Sequence, residues 1–172
     1  MATSFGTQMR LTEYTDYTLR VLMYCAAVPD RLITIAELAE RLSVSKNHLM
    51  KIVNDLARQG ILETLRGRGG GLRLLQNPAH IRVGDVVRSC ETDFRLVECF
   101  DSLTNTCSLT PDCRLKGVLS AALQAYFKEL DAATLADITG PDPSVRAPAA
   151  KSVRRVGAGV PMAAPVTRRR SA

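Results

Sequence analysis

This chain of 172 residues lacks a secretion signal and a membrane-spanning run. The residues before Met9 carry no basic region and no apolar core, and nowhere does an uninterrupted apolar stretch approach the roughly 20 residues that a spanning helix needs. A cytoplasmic protein with no membrane partner is therefore expected. Cysteine pairs of the C-x2-C type, the usual mark of a structural zinc site, are also missing. Histidine is scarce: only His48 and His80 occur, and neither stands beside a cysteine as a base would, which disfavours a thiol enzyme. The glycine-rich Arg66-Gly67-Arg68-Gly69-Gly70-Gly71 has no following Lys-Ser/Thr, and the residues after it read as a strand rather than a helix. This excludes a phosphate-cradling nucleotide loop.

The body of the chain also has no net charge. Of the +6 overall, all comes from residues 140–172, where seven basic side chains face Asp142 alone. Residues 1–139 hold 16 basic and 16 acidic groups. The basic segment contains five of the eight prolines and no aromatic residue, a composition that cannot bury enough apolar surface to order itself. It reads as a disordered tail whose arginines add at most nonspecific attraction for phosphate. Residues 1–8 read as a disordered leader or an upstream start.

What is present centres on Cys99 to Cys113, which holds three of the five cysteines as C-x7-C-x5-C. An odd number of thiols at loop spacing suits metal or redox chemistry in a reducing compartment, and three unrelated buried thiols are the alternative. A rival of another class is a thiol redox enzyme using Cys99, Cys107 or Cys113. Cys25, on an apolar helical stripe with Tyr14, Thr18, Val21 and Leu22, is expected in the core, and Cys90 is expected to be packed.

Upstream, Thr12 can cap a helix to about Ala27, and Thr34 a second helix carrying Ile35, Leu38, Ala39 and Leu42 on one face. After a short turn Ser45 caps a third helix, with Leu49, Ile52, Val53 and Leu56 inward and Gly60 as its left-handed stop. Two helices so joined form a helix-turn-helix signature, and an ordinary solvated hairpin is the competing interpretation. The outward residues Asn47, Lys51, Asn54 and Arg58, with Ser45, Lys46 and His48 at the start, suit base edges and phosphates in a major groove. Ile61–Leu65 and Leu72–Leu75 read as antiparallel strands around the glycine tip. This makes a wing on which Arg66, Arg68 and Arg73 supply charge with no acid between them. A short helix over Val83–Cys90 leads into the cysteines. From Arg114 onward, Leu115, Val118, Leu119, Ala122, Tyr126 and Leu130 form a stripe suited to pairing with a second copy, and a last short helix lies near Thr134–Ile138.

Seven stretches carry a family resemblance: Met9–Tyr17, Val44–Lys51, Arg66–Gly71, Val83–Arg88, Leu96–Cys99, Thr110–Lys116 and Thr134–Asp137. In order and content they resemble the iron–sulfur winged-helix repressors that include the NsrR, IscR and RirA types, the NsrR type most. Lys116 stands three residues after the last cysteine, where an IscR-like chain would offer histidine; the x7 spacing is shared with RirA. The resemblance implies a homodimer that binds a twofold operator in double-stranded DNA. It implies one [4Fe-4S] cluster per subunit, or a [2Fe-2S] form after oxidation, with operator release when nitric oxide attacks the iron. By the same resemblance the ligands are Cys99, Cys107, Cys113 and, from the other subunit's first helix, Asp16, which is otherwise a solvated helix-end charge. The alternative signal is iron or cluster status.

The expected fold is mainly α with a small β-hairpin wing. A winged helix-turn-helix DNA-binding domain spans 9–80, and a cluster-binding loop with a long dimerisation helix spans 81–139.

Overall fold

The computed structural model describes residues 10–29, 31–109 and 113–140. The leader, almost all of the basic tail and Thr110-Pro111-Asp112 lie outside them. Helix α1 spans Glu13–Ala27, α2 Ile35–Leu42 and α3 Lys46–Arg58. The hairpin strands β1 and β2 are Leu62–Leu65 and Gly71–Leu74. Helices α4, α5 and α6 are Val83–Cys90, Arg114–Ala132 and Leu135–Ile138.

The first three helices start where hydroxyls can cap them. Thr12, Thr34 and Ser45 accept hydrogen bonds from the backbone N–H groups of Thr15, Glu37 and His48, satisfying donors that a helix start leaves open. Gly60 adopts φ +69 just beyond α3, as its position predicts. The expected apolar faces meet in one core: Val21, Leu22 and Cys25 of α1, Leu38 of α2, and Leu49, Ile52, Val53 and Leu56 of α3. Burial, with a smaller contribution from Glu37, pushes the Cys25 thiol up to about 12, so it is an inert core group.

The wing is antiparallel, running from Leu62 opposite Leu74 to Leu65 opposite Gly71. Strand β1 starts one residue later than the sequence expectation and ends where expected, while β2 is shifted one residue earlier, because Gly71 pairs with Leu65 and shortens the tip. Gly67 and Gly69 take φ of +99 and +81 there, which other residues rarely adopt. Ile33 adds an unexpected isolated bridge to β2: its N–H donates to the Leu72 carbonyl at 2.9 Å, and the Leu72 N–H donates back at 2.8 Å.

The core continues past residue 80. Ile81, Val86 and Leu135 join it, Leu135 with 2% of its surface exposed. After α5 the chain returns to the head: the Val83 N–H donates to Ala133 O at 3.0 Å and the Leu135 N–H to Ile81 O at 2.8 Å. Thr134 and Asp137 form a reciprocal capping box on α6. The C-terminal end of α5 is fastened to α4 by Arg88, whose guanidinium donates to both Asp131 oxygens at 2.7 and 2.6 Å and lies 4.4 Å from the Phe127 ring centroid.

Two carboxylates hold elements that are distant in sequence. Glu91 accepts from the Thr12 N–H at 2.7 Å and the Thr15 hydroxyl at 2.6 Å, tying the start of α1 to the end of α4. Burial pushes that carboxyl up, but these hydrogen bonds outweigh it and hold its pKa below the ordinary value. Glu37 receives the Arg31 guanidinium and the Tyr24 hydroxyl, the latter at 2.6 Å. The Arg31 hydrogen bond leads in lowering its pKa from 4.5 to about 2, against the effect of burial. A carboxylate depressed in the folded state stabilises it above the unfolded pKa and loses that contribution as pH falls through the folded one. Glu37→Gln is therefore expected to cost about 1–2 kcal/mol at pH 7, discounted for solvent at Arg31. In urea titrations the gap between variant and parent should close between pH 4.5 and 2.

Candidate nucleic-acid interface and cysteine segment

Helix α3 presents Lys46, Asn47, His48, Lys51, Asn54 and Arg58 to solvent, opposite its buried row. The expected reading face is thus exposed, though its members are not equivalent. The Ser45 hydroxyl is used as the cap of α3. Arg58 forms an ion pair with Asp55, and Asp55 also accepts the Tyr14 hydroxyl at 2.6 Å, which locks α3 onto α1. Lys51 leans toward α1, its Nζ 5.4 Å from the Tyr14 ring centroid, and the His48 ring lies 6.4 Å from that of Tyr17. Asn47 and Asn54 are left as amides on the exposed row.

On the wing, Arg66 and Arg68 are exposed at the tip and make no ion pair among the described residues. Arg73 departs from expectation. It donates to Glu63 at 2.7 Å, because the strand register sets the two directly opposite each other. Its charge is therefore offset within the hairpin. The pairing could have been read from the sequence only with the register known.

The cysteine segment starts at the end of α4 and finishes where Cys113 takes the N-cap position of α5. Cys99 lies on a single 3-10 turn, Glu98–Phe100, and is buried; Cys107 and Cys113 are half-buried. Cys90 is half-buried against the core, its Sγ 3.8 Å from the Ser89 hydroxyl. All five cysteines are free thiols, and among the described residues no three His, Cys, Asp or Glu groups are assembled as a metal site. The donor set nonetheless fits an iron–sulfur group in kind: three thiols in one segment, each of which could be a thiolate ligand.

Nearby carboxylates divide by what they already hold. Glu98 Oε1 accepts from the Thr106 hydroxyl at 2.6 Å and from its N–H. Asp101 accepts from the Leu103 N–H at 2.9 Å and the Thr104 hydroxyl at 3.0 Å, and pairs with Arg95. These hydrogen bonds hold both carboxyls below their ordinary pKa and commit them to folding the segment. Asp16, half-buried on α1, is held among the described residues only by Arg20 one turn along, at 2.7 Å. Such a surface pair is worth about 0.3–0.5 kcal/mol, little enough for a better partner to displace.

No helix among the described residues is long and apolar enough to cross a membrane. A helix-turn-helix followed by a two-stranded wing, with exposed amides and cations on the second helix, defines a winged-helix DNA-binding protein. The family model described as "Rrf2: Iron-dependent Transcriptional regulator" matches residues 11–141, and the chain belongs to that family of transcriptional regulators. Its similarity is to members named HTH-type transcriptional regulator NsrR. It is 53% identical to that of Bacillus subtilis over 131 residues, 76% of this chain and 90% of the relative. It is 45% identical to that of Shouchella clausii over 140 residues, 81% of this chain and 94% of the relative. Among solved structures, T. potens IscR superposes with a TM-score of 0.59 at 25% identity, covering 77% of this chain and 87% of that one. Staphylococcus aureus CymR in its oxidized form shares the fold, with a TM-score of 0.62 at 22% identity over 76% of this chain and 96% of that one.

Proposed function

We propose that two copies of this chain form a dimer that represses transcription at a twofold operator, holds one [4Fe-4S] cluster per subunit, and leaves the operator in response to nitric oxide. One observation carries the reading. The segment with Cys99, Cys107 and Cys113 begins at α4, whose Val86 belongs to the core of the head, and ends at the cap of α5. In α5 no residue is buried, and Leu115 and Val118 are 61% and 64% exposed. An apolar helix so bare suits pairing with its copy, so whatever holds the three thiols together also sets how each head hangs from the dimer.

In this reading Cys99, Cys107 and Cys113 hold the cluster, and Asp16 of the second subunit completes the ligand set. When bound, the cluster supplies iron that reacts with nitric oxide, most openly where the ligand is a hard, weakly held oxygen. Asn47 and Asn54 then meet base edges, while Lys46, Arg66 and Arg68 meet phosphate. The family description as iron-dependent supports iron status as a second signal for the same machinery.

Oxygen-free purification with an absorption spectrum, followed by footprinting before and after nitric oxide, is the test. A coloured protein that protects an operator and loses it on nitric oxide addition is expected; a colourless one with full operator affinity would remove the reading. Iron chelation in a parallel sample separates the two signals. Asp16→Ala should retain a cluster that decays faster, and an unchanged decay rate would leave Asp16 as a helix-end charge. Arg66→Ala with Arg68→Ala should make the slope of log affinity against log salt shallower by about 2, without changing which sequence is preferred.

A further inference from the structure

Between the start of α1 and the flank of α3 lies a cleft of about 550 Å³, lined among others by Arg10, Glu13, Tyr17, His48 and Lys51. Six of the twelve arginines among the described residues are neutralised: Arg20, Arg31, Arg58, Arg73, Arg88 and Arg95 each pair with a carboxylate. Arg10 and Lys51 make no ion pair among the described residues, and neither the Tyr17 hydroxyl nor the His48 ring has a hydrogen-bond partner there. Two unpaired cations, an imidazole and a phenol hydroxyl thus converge on one concave surface from two elements. Tyr14, fixed through Asp55, forms its floor under Lys51.

The position of the cleft says what it meets. An α-helix with its side chains is about 10–12 Å across and the major groove about 12 Å wide. A helix seated there turns its outermost row to the bases and its two flanks to the phosphates on the groove walls. Lys51 shares the outward face of α3 with Asn47, Asn54 and Arg58, but its side chain, like the His48 ring, is turned toward the α1 flank, as their contacts with Tyr14 and Tyr17 show. We propose that Arg10, Tyr17, His48 and Lys51 form a seat for a backbone phosphodiester of the bound DNA. Lys51 is thereby a backbone contact rather than a base reader, and α1 takes part in DNA binding. The chemistry recognised is a phosphate diester monoanion: cations for its charge, and hydroxyl and imidazole donors for its free oxygens. Glu13, which also lines the cleft, opposes that charge and weakens the hold on free anions. The proposal rests on the DNA-binding reading above.

The test uses the full chain in its operator-binding state, with operator fragments in which single phosphates are replaced one at a time by neutral methylphosphonates. For the parent protein, one such replacement per half-site should weaken binding. In Arg10→Gln with Lys51→Gln that same replacement should have no further effect, which is the signature of direct contact. Each single variant should flatten the salt slope by about 1, so that the affinity ratio between 50 and 200 mM salt changes about 3.5-fold, with operator preference unchanged. Glu13→Gln should tighten binding by about two- to fivefold, the order of one exposed charge contact in water. Full additivity of the variants with every methylphosphonate, or an altered base preference in Lys51→Gln, would overturn the phosphate seat. Absence of operator binding by the parent protein would overturn the DNA-binding reading instead. Titration with inorganic phosphate distinguishes a free-anion site: competition at low millimolar phosphate at constant ionic strength would overturn the assignment to DNA backbone.

Discussion

Alanine at Cys99, Cys107 or Cys113 is expected to lower operator affinity at least about a thousandfold while leaving a folded dimer with weak, salt-sensitive binding to any DNA. The size follows from what is lost. Specific binding exceeds nonspecific binding by about three to seven orders of magnitude in such proteins, and the difference depends on two reading helices meeting two half-sites in register. The segment that holds the cysteines joins α4 to the N-terminal end of α5, so under the proposed cluster-bound dimer one missing thiol would free that end of the helix and the spacing of the heads with it. Folding should survive because the other end is fastened without any cysteine. Arg88 clasps Asp131, and Leu135 is buried in the core of the head. Footprinting and size-exclusion chromatography on the same sample decide the matter. Full-affinity protection of the operator by the variants would show that the thiols do not govern DNA reading.

Leu135→Ala should destabilise the protein by about 3 kcal/mol and lower Tm on the order of 10 °C, the range found when a fully buried leucine is truncated and the cavity cannot close. Leu135 keeps only 2% of its surface, yet it belongs to a helix of four residues after the long α5. Such a helix would not persist alone, and its position depends on the side chain it inserts beside Ile81 and α1. Leu103→Ala is the matched control, since Leu103 is 93% exposed in the cysteine segment. Thermal unfolding of the two should differ by nearly the whole effect. A drop in Leu135→Ala no larger than in the control would show that the chain after α5 is not docked on the head.

Much of the fold was legible in local chemistry. Hydroxyls at Thr12, Thr34 and Ser45 marked helix starts, Gly60 a helix end, and two short strand-like runs around a glycine tip marked the wing; all four helix and turn signals were found as expected. The family, too, was legible, because several stretches of matching residues run in the same order over most of the chain. The pairings that turn these elements into one head were not. Ile33 against Leu72, Glu63 against Arg73, Glu91 against Thr12 and Thr15, and Tyr14 against Asp55 join residues from 10 to 79 positions apart.

By itself the sequence determined which segments are helical, which faces are apolar, where the thiols stand and which family the chain belongs to. These depend on periods and caps that act over one or two turns, or on matched residues that need no coordinates. Only the tertiary structure decided which charges are available. Arg58 and Arg73, alike on paper with Lys51 and Arg68, are tied to Asp55 and Glu63, and Arg10, inconspicuous before the first helix, shares a cleft with Lys51. Neutralisation of a charge depends on a partner within a few ångströms, and which partner comes that close is set by strand register and helix packing rather than by neighbours in the chain.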